Sequence, residues 1–207
     1  MNQLTIGGII SNSIQMGLKN MASIVGAVIL WVLTIWIPYI NVGTTIAIVG
    51  MVVAISKGGI ISPLEIFDAK YRRNMGEFFL LIGFLEIGTL AGFLFMIIPG
   101  IVISIAWGQA IYLLIDKNMN PTEAITMSNK ITYGKKWTIF LAYLILAIGF
   151  AIAILILVKI FGFVWGFLGS LIGFVGYIAM LCIMLAAAAY IYGELSKEVG
   201  AAEQPAA

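Results

Sequence analysis

The residue best placed to do chemistry in this 207-residue chain is Glu86, a carboxylate inside the apolar run Phe84-Leu85-Glu86-Ile87-Gly88-Thr89. A charge at the centre of a membrane helix costs about 2.5 to 3.5 kcal/mol on insertion scales, so a partner or a task is expected for it. A fold of the chain at Pro99-Gly100 brings residues 109 to 112 to the same depth, and Gln109 and Tyr112 are expected to hydrogen-bond the carboxyl. Two readings stay open. In one, Glu86 is a proton or cation relay, or a polar contact for a ligand. In the other it is a neutral acid locking a hairpin, so that Glu86→Gln keeps the fold and Glu86→Leu loosens it. Other chemistry is sparse. The chain has no histidine and one cysteine, which argues against Ser-His and Cys-His hydrolases, histidine-ligated metals, Cys-pair zinc sites and an internal disulfide. No glycine-rich phosphate loop, carboxylate dyad or nucleic-acid footprint stands out, and no cofactor or metal is expected. Cys182 reads as a small buried apolar residue, because nothing near it in sequence would stabilise a thiolate.

The elements that must hold Glu86 follow from composition. Hydrophobic residues make up 62% of the chain and charged ones 10%, with a mean hydropathy of +1.12; soluble domains run to about 45 to 50% and 25%. The solvent for most of this surface is therefore lipid. Counting apolar runs against the roughly 20 residues that cross a bilayer gives six spans, at about 21 to 37, 42 to 56, 77 to 98, 100 to 115, 137 to 158 and 168 to 192. The turns are expected at Pro38 to Gly43, at Pro99-Gly100 and in the Gly-rich run after Lys159. The fold class is thus an all-α polytopic membrane bundle, a single domain over 1–197 with a disordered tail at 198–207. The N-terminus lacks the order of segments that marks a removable signal peptide.

Lys and Arg set the orientation. With the N-terminus inside, Lys19, Lys57, Lys70, Arg72, Arg73, Lys117, Lys130, Lys135, Lys136 and Lys197 all fall on the cytoplasmic side, and only Lys159 falls outside, where it snorkels to the interface. Both termini are then cytoplasmic. Trp36, Tyr39 and Trp165 sit near the outer boundary, and Tyr133, Trp137, Tyr190 and Tyr192 near the inner one.

An internal repeat organises the spans. Ser11-Asn12, Ile14, Gly17 and Lys19 recur as Ser128-Asn129, Ile131, Gly134 and Lys136 at an offset of 117, and Pro63, Glu65 and Gly76 recur as Pro121, Glu123 and Gly134 at 58. The chain divides into units of about 3–57, 62–116 and 120–193, each a short amphipathic helix followed by two spans. Capping boxes are expected at Ser62-Pro63-Leu64-Glu65 and Asn120-Pro121-Thr122-Glu123. After them, Leu64, Phe67, Tyr71 and Met75, and Ala124, Met127, Ile131 and Gly134, keep helical spacing, with Asp68 and Arg72 four apart. Such helices lie at the cytoplasmic interface.

Two further groups stand out. Gly162, Gly166, Gly169, Gly173 and Gly176, at spacing 4,3,4,3, form a smooth stripe for close helix packing, within the bundle or against a second copy, with Gly88 and Gly92 as candidate partners. Lys70, Arg72, Arg73, Lys130, Lys135 and Lys136 form a basic cluster that either contacts anionic headgroups or simply records topology.

The string Ile97-Ile98-Pro99-Gly100-Ile101-Val102, with Asp116, Asn120-Pro121-x-Glu123-Ala124-Ile125-x-x-Ser128 and Gly134-x-Lys136-Trp137-x-x-Phe140, resembles an uncharacterised prokaryotic multi-pass membrane family. That family is similar to the membrane domain attached to some glycerophosphoryl diester phosphodiesterases. The resemblance covers about 77 to 150 and implies six spans, cytoplasmic helices, a prokaryotic inner or plasma membrane and no established activity. It carries no catalytic residue over, because the phosphodiesterase chemistry of the fused relatives resides in a separate soluble domain. The function expected is non-enzymatic: a scaffold or regulator whose partners are membrane lipids, a second copy or another membrane protein, with no role for nucleic acid. The alternative is a small transporter, or the membrane subunit of one, that uses Glu86.

Overall fold

The computed structural model describes residues 4–59, 62–164 and 166–202, and among these no strand occurs. Nine α-helices follow in order: α1 (Ile6–Lys19), α2 (Met21–Thr34), α3 (Pro38–Ser56), α4 (Met75–Phe95), α5 (Ile97–Trp107), α6 (Ala110–Lys117), α7 (Pro121–Thr132), α8 (Lys136–Val164) and α9 (Gly166–Ala202). Two short 3-10 helices, Pro63–Phe67 and Ala69–Arg72, precede α4.

Among the described residues, five stretches are long and apolar enough to cross a membrane: α3, α4, α5 with α6, α8 and α9. A sixth would need α1 and α2 to act together, although they meet at 69°. Alone, α2 has 14 residues, about 21 Å of helix against a hydrocarbon core of about 30 Å.

The turns differ from those expected at the prolines. Pro38 is the first residue of α3, and Pro99 lies in the first turn of α5, whose preceding bend is at Met96 with φ −167° and ψ 159°. Proline lacks only an N–H that the first turn leaves unpaired anyway, so it starts these helices instead of breaking the hairpins between them. The last turn falls in the Gly-rich run after Lys159, as expected, between Val164 and Gly166. Lys159 is well inside α8, and Trp165, between α8 and α9, lies outside the described residues. The expected tail at 198–207 is helical as far as Ala202, with Val199 buried; 203–207 are outside the described residues.

Packing is concentrated at one end. Leu113, Leu114, Ala124, Ile139, Tyr192 and Leu195 are at the heart of the largest buried cluster, which joins α6, α7, α8 and α9. Helix α1 runs antiparallel along α9, where a methyl group at Gly17 would lie 2.9 Å from the Ile183 Cα. By contrast, nothing is buried in α8 from 147 to 163, nor in α9 from 166 to 181 apart from Gly169. That is about 25 Å of paired helix, close to the thickness of a hydrocarbon core.

Candidate functional site

Glu86 does not sit in a polar site. The α4–α5 hairpin closes slightly earlier than expected, at Met96: Gly88 packs on Trp107 and Gly92 on Gly100 and Ile103, so Glu86 is level with about residues 106 to 109 instead of 109 to 112. Glu86, however, lies about 200° around the helix from Gly88, on the face turned away from α5. It is exposed and has no hydrogen bond or ion pair among the described residues. Gln109 and Tyr112 are elsewhere. The Gln109 N–H donates to Ser128 Oγ at 3.1 Å, its Oε1 is buried without a partner, and Tyr112 packs its ring 5.5 Å from that of Tyr192.

The glycines behave differently from one another. Gly162 is on α8 and faces Gly169 across the hairpin, so the five do not share one helix. Gly169, Gly173 and Gly176 do pack closely, but on Gly162, Val158 and Ile154 of α8, while Gly166 meets nothing within 4 Å. Gly88 and Gly92 pack inside their own hairpin and never reach this stripe.

The basic cluster divides into paired and unpaired members. Helix α7 has the expected capping box, with Glu123 N–H donating to Asn120 Oδ1 at 2.9 Å. It then turns at Gly134, φ +75°, a conformation that favours glycine, and leads into Lys135, which pairs with Glu198 at 2.5 Å, and Lys136, which donates to Asn129 at 3.0 Å. Lys130 and Arg73 are exposed and have no partner among the described residues.

No capping box forms at Ser62, and no single helix follows it. Asp68 has φ −59° and ψ 133° and accepts from the Lys70 N–H at 2.9 Å, which splits the segment into two 3-10 turns. A short carboxylate that satisfies a neighbouring backbone donor competes with helix continuation. Consequently Ile66 and Tyr71 are buried and Leu64 and Phe67 are exposed, and Asp68 pairs with Lys70 at 3.5 Å instead of with Arg72. That backbone hydrogen bond also holds the Asp68 carboxyl below its usual range, while the Glu65 hydrogen bond holds the Lys70 ammonium above its own.

These 3-10 turns form a strap that runs back along α2 and α3. Pro63 lies against Gly26, Tyr71 against Gly50 and Arg72 against Gly43, and the Arg72 guanidinium stands 6.0 Å from the Tyr39 ring centroid. The charge ladder puts Tyr39 outside and Arg72 inside, yet they are neighbours. The same happens at the α4–α5 tip. Ile98, expected outside, lines one cleft of ≈ 370 Å³ with Tyr133, Lys136 and Trp137, expected inside. Residues 98 to 105 and 133 to 140 rise only about 11 Å each, so this tip lies alongside the start of α8.

The offset of 117 links unlike positions. Gly17 is packed inside α1 whereas Gly134 is a turn, and Ser11 is exposed whereas Ser128 is fully buried. Ser128 has its own task. Where α5 gives way to α6, its hydroxyl donates to the Ala106 carbonyl at 2.6 Å and accepts from Gln109 N–H, so a side chain of α7 satisfies backbone groups orphaned by the break.

Sequence reasoning missed the most buried charge. Asp116, with 3% of its side chain exposed, pairs with Lys57, accepts from the Tyr192 hydroxyl at 2.7 Å and stands 4.0 Å from Lys117 Nζ. This carboxylate ties the end of α3, the end of α6 and the middle of the packed part of α9. The only sequence signal was a lone acid closing an apolar run.

A second polar feature lies beside it. Where α1 and α3 both end against α9, a cleft of ≈ 280 Å³ is lined by Lys19, Asn20, Ser56, Glu194 and Lys197 among others. No group of three or more metal-ligating side chains occurs among the described residues.

No family model, curated protein or solved structure matches the chain.

Proposed function

We propose that the chain is a non-enzymatic integral membrane protein, a scaffold or regulator that holds lipid headgroups or a membrane partner against its charged end. The observation that carries this reading is the division of the molecule into two ends. The α8–α9 hairpin offers bare apolar surface over about a bilayer's thickness, and the packed end carries exposed, unpaired cations at Arg73 and Lys130. A lipid-facing shaft joined to a cationic base suits the inner leaflet, where anionic headgroups attract Lys and Arg at about 1 kcal/mol each.

The prokaryotic inner membrane, cytoplasmic termini and the three-unit plan belong to this proposal. The cations on the segments expected inside support the orientation, although Arg72 stands beside Tyr39 and Ile98 beside Lys136. Helix α1 before α2–α3 and α7 before α8–α9 support the first and third units, and two 3-10 turns take that place before α4–α5. Six crossings would require the bent α1–α2 pair to supply one. The likeness of 77 to 150 to the multi-pass membrane family agrees with a role without catalysis. Transport through Glu86 has lost its support, because Glu86, Gln109 and Tyr112 do not meet.

The test is purification in native lipid with mass spectrometry of what is retained. Anionic phospholipid should be enriched over the bulk membrane and should fall toward bulk in the Arg73→Gln, Lys130→Gln double variant. Identical lipid profiles for the two proteins would overturn the reading.

A further inference from the structure

The cleft of ≈ 370 Å³ between α5 and the start of α8 has two walls of different chemistry. On the α5 side Ile98, Ile101 and Ile105, at spacing 3,4, form an aliphatic wall. On the other side, at the turn into α8, stand Tyr133 and Trp137. They are 80% and 70% exposed although both line the cleft, and the Trp137 ring is held edge-on to Phe140 with 5.9 Å between centroids. Lys136 lies between them in the chain and lines the same wall. One of its three N–H groups donates to Asn129 Oδ1 at 3.0 Å, a neutral acceptor that leaves the charge in place, and no carboxylate pairs with it among the described residues. An uncompensated cation thus stands at the edge of an apolar space.

The cleft also runs into lipid-facing surface. Leu141 and Leu144 follow Trp137 at i+4 and i+7, on the same side of α8, and both are exposed. An apolar chain leaving the cleft therefore meets apolar side chains instead of water. Tyr and Trp are the rings that settle at the boundary of headgroup and hydrocarbon, and a Lys beside them keeps its ammonium at headgroup level.

We propose that this cleft seats one acyl chain of an anionic membrane phospholipid, with the phosphate on Lys136 and the chain between the α5 isoleucines and the Trp137 ring. The space of ≈ 370 Å³ equals about twelve waters at about 30 Å³ each, room for roughly a dozen chain carbons. Such a chain fills the gap between two elements and fastens the α4–α5 hairpin to α8. The inference rests on the headgroup reading and deepens it by naming one site, and it uses neither Arg73 nor Lys130.

The experiment places the whole protein in nanodiscs of phosphatidylcholine with a minor share of phosphatidylglycerol, one or the other brominated in its chains. Bromine quenches tryptophan on contact, and the difference between the protein and its Trp137→Phe variant isolates the Trp137 signal. Brominated phosphatidylglycerol should quench that signal about tenfold more effectively per mole than brominated phosphatidylcholine, the effect of one hydrogen bond to a charged group. Lys136→Gln keeps a donor for Asn129 and should bring the ratio toward unity, and Ile101→Phe, which narrows the cleft, should lower quenching by both lipids. The Arg73→Gln, Lys130→Gln variant should leave the ratio unchanged. Equal quenching by the two lipids in the unaltered protein, the mark of ordinary surrounding lipid, or an undiminished ratio in Lys136→Gln would overturn the proposal. If anionic enrichment through Arg73 and Lys130 persists in that case, only the cleft assignment fails.

Discussion

Two apolar hairpins, α4–α5 and α8–α9, look alike in composition and are held in different ways. In α8–α9 the contact is backbone on backbone: a methyl group at Gly169 would lie 2.7 Å from Gly162 Cα and 3.1 Å from the Val158 carbonyl oxygen. In α4–α5 one contact is also backbone, a methyl group at Gly92 lying 3.0 Å from Gly100 Cα, but at Gly88 the contact is a Trp107 side chain, and α5 breaks after Trp107 at a site that Ser128 satisfies. The α8–α9 hairpin stands free of the body over about 25 Å; in the α4–α5 hairpin α5 lies beside α7 and the start of α8, while nothing from 82 to 98 is buried apart from Gly92. The lesson is that apolar length alone does not distinguish a helix that crosses a bilayer from one that lies along its own protein. Close glycine contact makes a rod; a broken, side-chain-packed hairpin needs a neighbour.

The sharpest way to break this comparison is topological. In sealed vesicles and a Cys182→Ala background, cysteines placed at Met96 and Tyr133 should react with an impermeant maleimide from the same side, and one placed at Lys159 from the other. Labelling of Met96 and Lys159 from one common side would mean that both hairpins cross. Next in size is the glycine contrast. Gly169→Val should cost about 3 kcal/mol, the upper end of overpacking, because backbone cannot give way, whereas Gly88→Ala should cost about 1 kcal/mol as the Trp107 ring swings aside. Thermal unfolding in one detergent measures both, and equal losses would erase the distinction.

A smaller effect concerns the strap, which neither hairpin shares. Asp68 titrates below the ordinary carboxylate value of 3.8, so its contribution is present above that pH and is lost as pH falls through the lower folded value. Limited proteolysis between 57 and 74 should therefore stay slow at pH 5 and quicken only below about pH 3.8. A rise in cleavage already at pH 5 would contradict the Asp68–Lys70 contact. The smallest expected change is at Glu86. With no partner to lose, Glu86→Leu should shift stability by less than about 0.5 kcal/mol rather than loosen the hairpin, and a large loss in the same melting assay would restore the buried-lock reading.

Which parts of this were legible depends on how local the cause was. Helix α7 and its capping box were readable because Asn120, Pro121 and Glu123 act within one turn. The similar string at Ser62 misled, since Asp68 redirects the backbone six residues later. Pro38 and Pro99 were read as turn formers although a proline at a helix start carries the same local signal. The charge ladder assumed that each apolar run crosses, and the contacts of Arg72 with Tyr39 and of Ile98 with Trp137 depend on packing between distant segments. Asp116, Tyr192 and Lys57 were invisible as a group, being far apart in the chain and joined only by folding.

The sequence by itself determined that the protein is helical and lipid-facing, because apolar content and hydrogen-bond satisfaction within helices are properties of each segment. Only the tertiary structure decided which apolar surface stays bare and which carboxylate is buried. Faces of a helix two residues apart point in opposite directions, and what covers each face is supplied by residues elsewhere in the chain. Glu86 and Asp116 show it: the acid inside the apolar run is exposed, and the acid at the end of one is enclosed.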